Sequence, residues 1–393
     1  MEQLEYEKIE NILGNVQELD KLKKENLIIS GIKTKSEKWE KKIQDVIKTY
    51  FEHNLKVCIL EEEFKEIESL QQHSYILVPE FRKHIERLNS HLFSEYSHIE
   101  KSIIVDKIIT DFKSKFDNTK DTVDRYELVF NNKTIELEKE NGEKEQCYYV
   151  VLDLSNYKNN EITIIKEKKI NDERLLKKCE LPDFAYYVNG LPFIAIEIKT
   201  PETGTKAALK DFQNKVSYQK FLSVIGTDGD KAFIGTNPKN EDIYYWANYG
   251  DNPSSGGFKD ISQELLFNID NLLFYFQFGV LKVIANDSKF LKNARVQQYF
   301  VLKKYRKQFD DLVKIRKNNS VLAQIKFLKQ EIKKNQDKKE FIENQKKKIS
   351  DLKSNLTDKS FKSIQFKNHF KHHTRTGKSF TFKIILNYIT SKL

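Results

Sequence analysis

Cysteine is scarce in this sequence. Cys58, Cys147 and Cys179 stand singly among 393 residues. No pair has zinc-site spacing, and an odd count argues against a disulfide framework. A reducing compartment fits both absences. No apolar run approaches the ~18–20 residues that a membrane-spanning helix needs. The opening residues, Met1-Glu2-Gln3-Leu4-Glu5, carry neither the basic nor the apolar stretch of an export signal. A cytoplasmic location is therefore the expectation. Proline and glycine are rare across residues 1–120, so little there interrupts a helix.

Charge is abundant. Lys and Arg number 68 against 58 Asp and Glu, a net charge of +10, and the pI is near 9.0. An excess of that sign suits a polyanionic partner, because each phosphate neutralised releases counterions. A lysine-rich composition also arises without one. Hydrophobic residues make up 39% of the chain, enough for a sizeable core, and the length suits two or three domains of ~100–200 residues.

Along the chain, residues 1–120 read as mostly helical, with Leu4, Ile9, Ile12, Leu13, Val16 and Leu19 at helical spacing. From about Tyr126 the pattern changes to short apolar or alternating runs: Tyr148–Leu154, Ile162–Ile165, Phe184–Val188 and Leu191–Ile198. Turn signals separate them, among them Asn141-Gly142 and Asn189-Gly190. Helical periodicity returns over Lys206–Leu222, followed by strands at Ser223–Gly226 and Ala232–Ile234. Strands, helix and strands in this order predict a compact α/β core over residues 121–255, a mixed sheet flanked by helices. The Gly/Ser/Pro-rich string at 252–257 marks its end. Residues 256–360 read as a helical linker: an apolar helix over Ile261–Ile284, then Lys-rich amphipathic helices or a short coiled coil. A charge run of this kind is more often a solvated face than a surface for nucleic acid. Residues 361–393 form a last block containing Gly377-Lys378-Ser379.

The chemistry-bearing signal is Pro182-Asp183 followed by Glu197-Ile198-Lys199. Hydrolysis of a phosphodiester calls for a divalent cation that polarises the phosphoryl oxygen, activates water and steadies the leaving oxygen. Mg2+ prefers oxygen ligands and takes one or two carboxylates from a protein. A lysine nearby orients water or offsets developing charge. The pattern Glu-x-Lys alone says little, since it recurs at Glu40–Lys42, Glu63–Lys65, Glu167–Lys169 and Glu331–Lys333, where surface helix charge explains it. The copy at Glu197 differs because it ends the apolar run Leu191–Ile196. An acid there needs a reason, since burying an unpaired charge is costly.

Strand parity sharpens the expectation. Glu197 and Lys199 share a face because side chains alternate. A strict two-residue Asn189-Gly190 turn pairs position 183 with 196 and sends Asp183 to the other face. An odd loop, or a compensating bulge, is required to bring Asp183 round.

These residues resemble a known family. Leu181-Pro182-Asp183, Val188-Asn189-Gly190-Leu191-Pro192 and Ile196-Glu197-Ile198-Lys199 are similar to the N-terminal nuclease region of type I restriction motor subunits. Upstream, Asp153–Asn156 and Asn160–Ile162 resemble the strand pair before the family's aspartate. Downstream, Ala294–Phe300 resembles the segment leading into its ATPase motor. The resemblance implies a PD-(D/E)xK restriction-endonuclease-like fold, with metal on Asp183 and Glu197 and water assisted by Lys199. It also implies a Gln-x-x-x-Tyr helix after the catalytic strand. Gln213 and Tyr218 are one position too far apart for it, whereas Asn214 and Tyr218 have the spacing with Asn in place of Gln.

Gly377-Lys378-Ser379, preceded by Thr376, resembles the end of the family's phosphate loop. There backbone amides cradle phosphates, the lysine reaches them and the serine meets Mg2+. The full pattern wants glycine at position 372, which is His. Only fourteen residues follow Ser379, which reads as a motor subunit broken off after its first helicase motif, with ATP-driven translocation lost or incomplete. His369, His372 and His373 read as a surface cluster. The expected function is that of a Mg2+-dependent endonuclease module acting on double-stranded DNA beside modification (methyltransferase) and specificity subunits, with ATP a cofactor of the family. The alternative is a non-catalytic fragment or scaffold protein that retains a nuclease fold.

Overall fold

A computed structural model describes residues 40, 44, 47–48, 51–52, 75–131, 133–166, 182–200, 203, 205–214, 218, 220–228, 231–236, 244–245, 258–285, 288–334, 339–354 and 378–391. The chain divides into two compact units, Met1–Gln297 and Gln298–Leu393.

The first unit opens on helices. α1 (Val78–Leu88) starts with Pro79 in its first turn, where the missing N–H costs nothing. After α2 (Ser90–Glu95) comes α3 (Lys101–Asn118), whose Ile104, Val105, Ile108, Ile109, Phe112 and Phe116 form one buried stripe at helical spacing. α4 (Thr122–Phe130) is capped by Asp121, whose carboxylate accepts the Val123 N–H at 2.6 Å. A hairpin follows, β1 (Lys133–Glu138) and β2 (Lys144–Tyr149), turning near Gly142 at φ 80.

The expected strand Tyr148–Leu154 is only half right, since β2 ends at Tyr149. Beyond it, the Asn89 side chain takes up both polar groups of Val150, at 2.8 and 2.9 Å. Asp153 accepts from the amides of Ser155 and Asn156. Side chains thus bind backbone groups that a strand would have paired.

The main sheet has six strands in sequence order: β3 (Ile162–Lys166), β4 (Phe184–Val188), β5 (Leu191–Ile198), β6 (Ser223–Thr227), β7 (Ala232–Gly235) and β8 (Tyr244–Tyr245). All neighbours are antiparallel except β5 and β6. That parallel pair needs a crossover, which α5 (Thr205–Asn214) supplies. Every residue of β4 and β5 is buried, as central strands covered on both faces must be. Gly226 of β6 lets α5 close down on the sheet, because a Cβ there would meet Ala208 at 2.9 Å and the Phe233 ring closer still.

Downstream, α6 (Phe258–Ile261), a π-turn at Ser262–Leu266, α7 (Ile269–Phe274) and a second π-turn at Tyr275–Gly279 pack Leu265, Leu272, Phe274 and Phe276 into the core. The helix expected across Ile261–Ile284 therefore stops at Gly279. Val280, Val283 and Ile284, being β-branched, favour an extended chain. They lie in β9 (Val280–Ala285), which pairs with β10 (Ser288–Asn293). The string at 252–257 lies outside the described residues.

The second unit is helical in its described parts: α8 (Val296–Lys334), α9 (Lys339–Ser354) and α10 (Lys378–Thr390). Within it Tyr388 of α10 donates its hydroxyl to Asp310 at 2.9 Å and sets its ring edge-on to Phe309 at 5.8 Å. Among the described residues no helix is long and apolar enough to cross a membrane.

Candidate active site

The hairpin β4–β5 decides where the acids go. Asn189 and Gly190 both have positive φ, 52 and 78, and Val188 pairs directly with Leu191. The turn is thus the strict two-residue type, not the odd loop. Gly190 also lies against α1: a Cβ would meet the Leu77 carbonyl oxygen at 2.6 Å and the Phe81 nitrogen at 2.7 Å.

The compensation comes two pairs later. Tyr187 pairs with Pro192, but Tyr186 pairs with Ile194, so Phe193 is an extra residue on β5. Pro192 has no N–H to give the ladder, and a bulge is a position where proline is tolerated. From there Ala185 meets Ala195 and Phe184 meets Ile196. The register then carries Asp183 across from Glu197, on one face. A bulge supplies the correction that parity demanded.

Asp183 is held on both oxygens. Its Oδ2 accepts the Ile198 N–H at 2.5 Å, and its Oδ1 accepts the Gln44 side-chain amide at 2.6 Å. Glu197, only 4% exposed, is gripped likewise. Lys199 Nζ donates to its Oε1 at 2.9 Å, and the Tyr218 hydroxyl to its Oε2 at 3.1 Å. Lys199 also reaches Asp211 of α5 at 2.7 Å, so its ammonium lies between two carboxylates.

The electrostatics follow from burial and like charge. Desolvation, then the charges of Glu197 and Glu40, push the Asp183 carboxyl well above the usual carboxylate range; the Ile198 amide and Lys199 oppose them and lose. Burial works against the Lys199 charge, but Glu197 and Asp211 outweigh it and hold the ammonium above its ordinary pKa. The Tyr218 hydroxyl is pushed up by burial and by Glu197. A half-buried and a buried carboxylate on one face, the first pushed toward protonation by desolvation and then by the second, form a donor set that a cation would relieve. Among the described residues no group of three or more His, Cys, Asp or Glu is arranged to hold a metal. Asp183 and Glu197 are the two carboxylates that could hold a cation here.

Asp183, Glu197, Lys199 and Tyr218 come together as the sequence suggested. Gln213 lies on α5, but its side chain is outside what the structure describes, and Asn214 is exposed. Thr376, Gly377 and the histidines 369, 372 and 373 also lie outside the described residues, while Lys378 and Ser379 open α10. Sequence reasoning missed Asp211 and Gln44, and it dismissed Glu40 as surface charge. A signal was present. Gln44 shares a helical face with two fully buried residues, Ile47 and Phe51, a polar side chain on an apolar stripe.

Two comparisons bear on this arrangement. The chain is similar over 190 residues, at 25% identity, to a protein of Methanocaldococcus jannaschii that carries the provisional name type I restriction enzyme MjaIXP endonuclease subunit. That stretch is 47% of this chain and 17% of the relative, so this chain matches only a small part of the relative's length. Residues 37–243 match the family described as type I restriction enzyme R protein N terminus. The match covers more than half of the sequence and takes in every side chain that converges on Asp183 and Glu197, so this chain belongs to the type I restriction enzyme R protein N-terminal family.

Proposed function

We propose that this chain is the Mg2+-dependent DNA endonuclease module of a type I restriction system, built on a PD-(D/E)xK fold. The observation that supports it best is the bulged hairpin that sets Asp183 across from Glu197 with Lys199 bonded to the second acid. Family membership and the provisional name of the relative favour the same reading.

Asp183 and Glu197 would hold the cation, which supplies Lewis-acid polarisation of a phosphoryl oxygen and a more acidic bound water. The rest falls to the chain. An ammonium has three N–H groups. Lys199 gives one each to Glu197 and Asp211, and the third is free in direction to orient water or meet a phosphate oxygen. Tyr218 and the Ile198 amide keep the acids from swinging. Double-stranded DNA is the substrate, with modification and specificity subunits as partners that choose the site. The string Gly377-Lys378-Ser379 reads as a phosphate-loop remnant, since position 372 is His rather than glycine. ATP hydrolysis by this chain alone is not expected.

The test is nicking of supercoiled plasmid with Mg2+. Glu197→Ala and Lys199→Ala should each lower the rate by roughly 100-fold or more, the scale on which removal of one charge-stabilising group acts. Wild-type chain that cuts nothing, alone or assembled with modification and specificity subunits and ATP, would leave a non-catalytic scaffold as the better reading.

A further inference from the structure

Gln44 is 139 residues away from Asp183 in sequence, yet its amide nitrogen lies 2.6 Å from Oδ1. The residue is 7% exposed. What puts it there is packing on its own helical face. Ile47 and Phe51 follow at three- and four-residue steps and both are fully buried. Phe51 meets three rings edge-on: Phe184 at 5.6 Å, Phe258 at 6.1 Å and Phe267 at 5.6 Å. Phe184 is the neighbour of Asp183 in the chain. The anchor that seats this helical segment therefore touches the residue beside the acid.

The kind of donor matters. A carboxylate oxygen has two lone pairs. With the Ile198 N–H on Oδ2 and the Gln44 amide on Oδ1, the carboxyl plane is fixed and each oxygen keeps a lone pair for another partner. Both donors are neutral. A lysine or arginine in place of Gln44 would fix the same plane but add a positive charge where a cation must come. We propose that Gln44 is a positioning residue for Asp183: it orients the carboxylate from outside the sheet without adding positive charge to the site. The inference rests on the reading of Asp183 and Glu197 as a cation site.

The test uses the full chain and Mn2+ alone, with free Mn2+ followed by electron paramagnetic resonance and folding by urea titration. Asp183→Asn is the reference for loss of binding. Gln44→Leu should fold and bind Mn2+ about 10- to 100-fold more weakly, the usual range when a partner of a metal ligand is removed. Gln44→Lys keeps a donor but brings charge; it should fold and bind more weakly still. If Asp183→Asn abolishes binding while Gln44→Leu stays within threefold of wild type, Gln44 does not position the acid, and the cation site stands without it. Should the Leu variant fail to fold, the Lys variant decides: wild-type affinity there overturns the proposal, and loss of affinity in a folded chain supports it. Wild-type chain that binds no Mn2+ overturns both the inference and the reading beneath it.

Discussion

Phe184 pairs with Ile196, one residue further along β5 than the Asn189–Gly190 turn alone would put it. The extra residue, Phe193, is no loose insertion. Its ring packs against Phe276 at 5.3 Å and Phe130 at 6.1 Å, so the core holds the bulge in place. Through it Asp183 comes near enough to take the Ile198 amide.

That amide reports on the acid. A hydrogen bond to a charged group contributes about 1.5–3 kcal/mol. Asp183→Ala should therefore raise amide hydrogen exchange at Ile198 by roughly tenfold or more, while Ile196, inside the ladder, keeps its rate. Unchanged exchange at Ile198 would mean that Asp183 does not hold it.

Tyr218 tests the other acid. Tyr218→Phe removes the hydroxyl from Glu197 Oε2 and leaves the ring against Phe212, now 5.3 Å away. Stability should fall by about 1–2 kcal/mol, the cost of taking one partner from a buried polar group. Plasmid nicking should fall about tenfold or more. A variant with wild-type nicking would remove Tyr218 from the site.

Gly190→Ala is expected to be costly beyond its size. The position has φ 78, and the new Cβ would press on the Leu77 carbonyl oxygen and the Phe81 nitrogen, both backbone atoms. Strain of this kind is worth about 1–3 kcal/mol. Leu77 also donates its N–H to the Gly190 carbonyl at 2.9 Å, so α1 and the hairpin would be pushed apart together. The urea midpoint should drop at unchanged slope; an unshifted midpoint would show that the turn relaxes freely.

Stability should fall in mild acid through His84. The ring is 2% exposed, and burial lowers its pKa from 6.5 to about 4, against the pull of Glu161. Arg87 donates to Nδ1 at 2.8 Å, which suits a neutral ring. The folded-state pKa is below the unfolded one, so the unfolded chain takes up the proton first. The contribution is complete above pH 6.5, shrinks as pH falls toward 4, and amounts to roughly 2–3 kcal/mol across that window. Comparing melting temperatures of wild type and His84→Gln from pH 7 to 4 isolates it. Parallel curves would remove His84 as the source.

Much of the site was legible because it is local. β4 and β5 lie where the apolar runs put them, and the acid closing a buried run at Glu197 stood out from four identical patterns elsewhere. Parity showed that a plain hairpin could not work, though not which remedy the chain uses. Tyr218 was reachable only through family likeness. β9 was missed because Ile261–Ile284 is apolar throughout, and an unbroken apolar run does not declare its period. The charge of Glu40 acts on Asp183 although the two are far apart in sequence, and nothing near Glu40 in the chain links them.

The sequence by itself determined which residues could be strands, which acids had no surface excuse, and that the chain carries an excess of positive charge. Those are properties of near neighbours, settled by alternation, burial and composition. Tertiary structure alone decided that Phe193 bulges, that Asp211 shares Lys199 with Glu197, and that an amide from position 44 lands on Asp183. Each depends on packing between segments far apart in the chain, where the core selects one register and one helix placement.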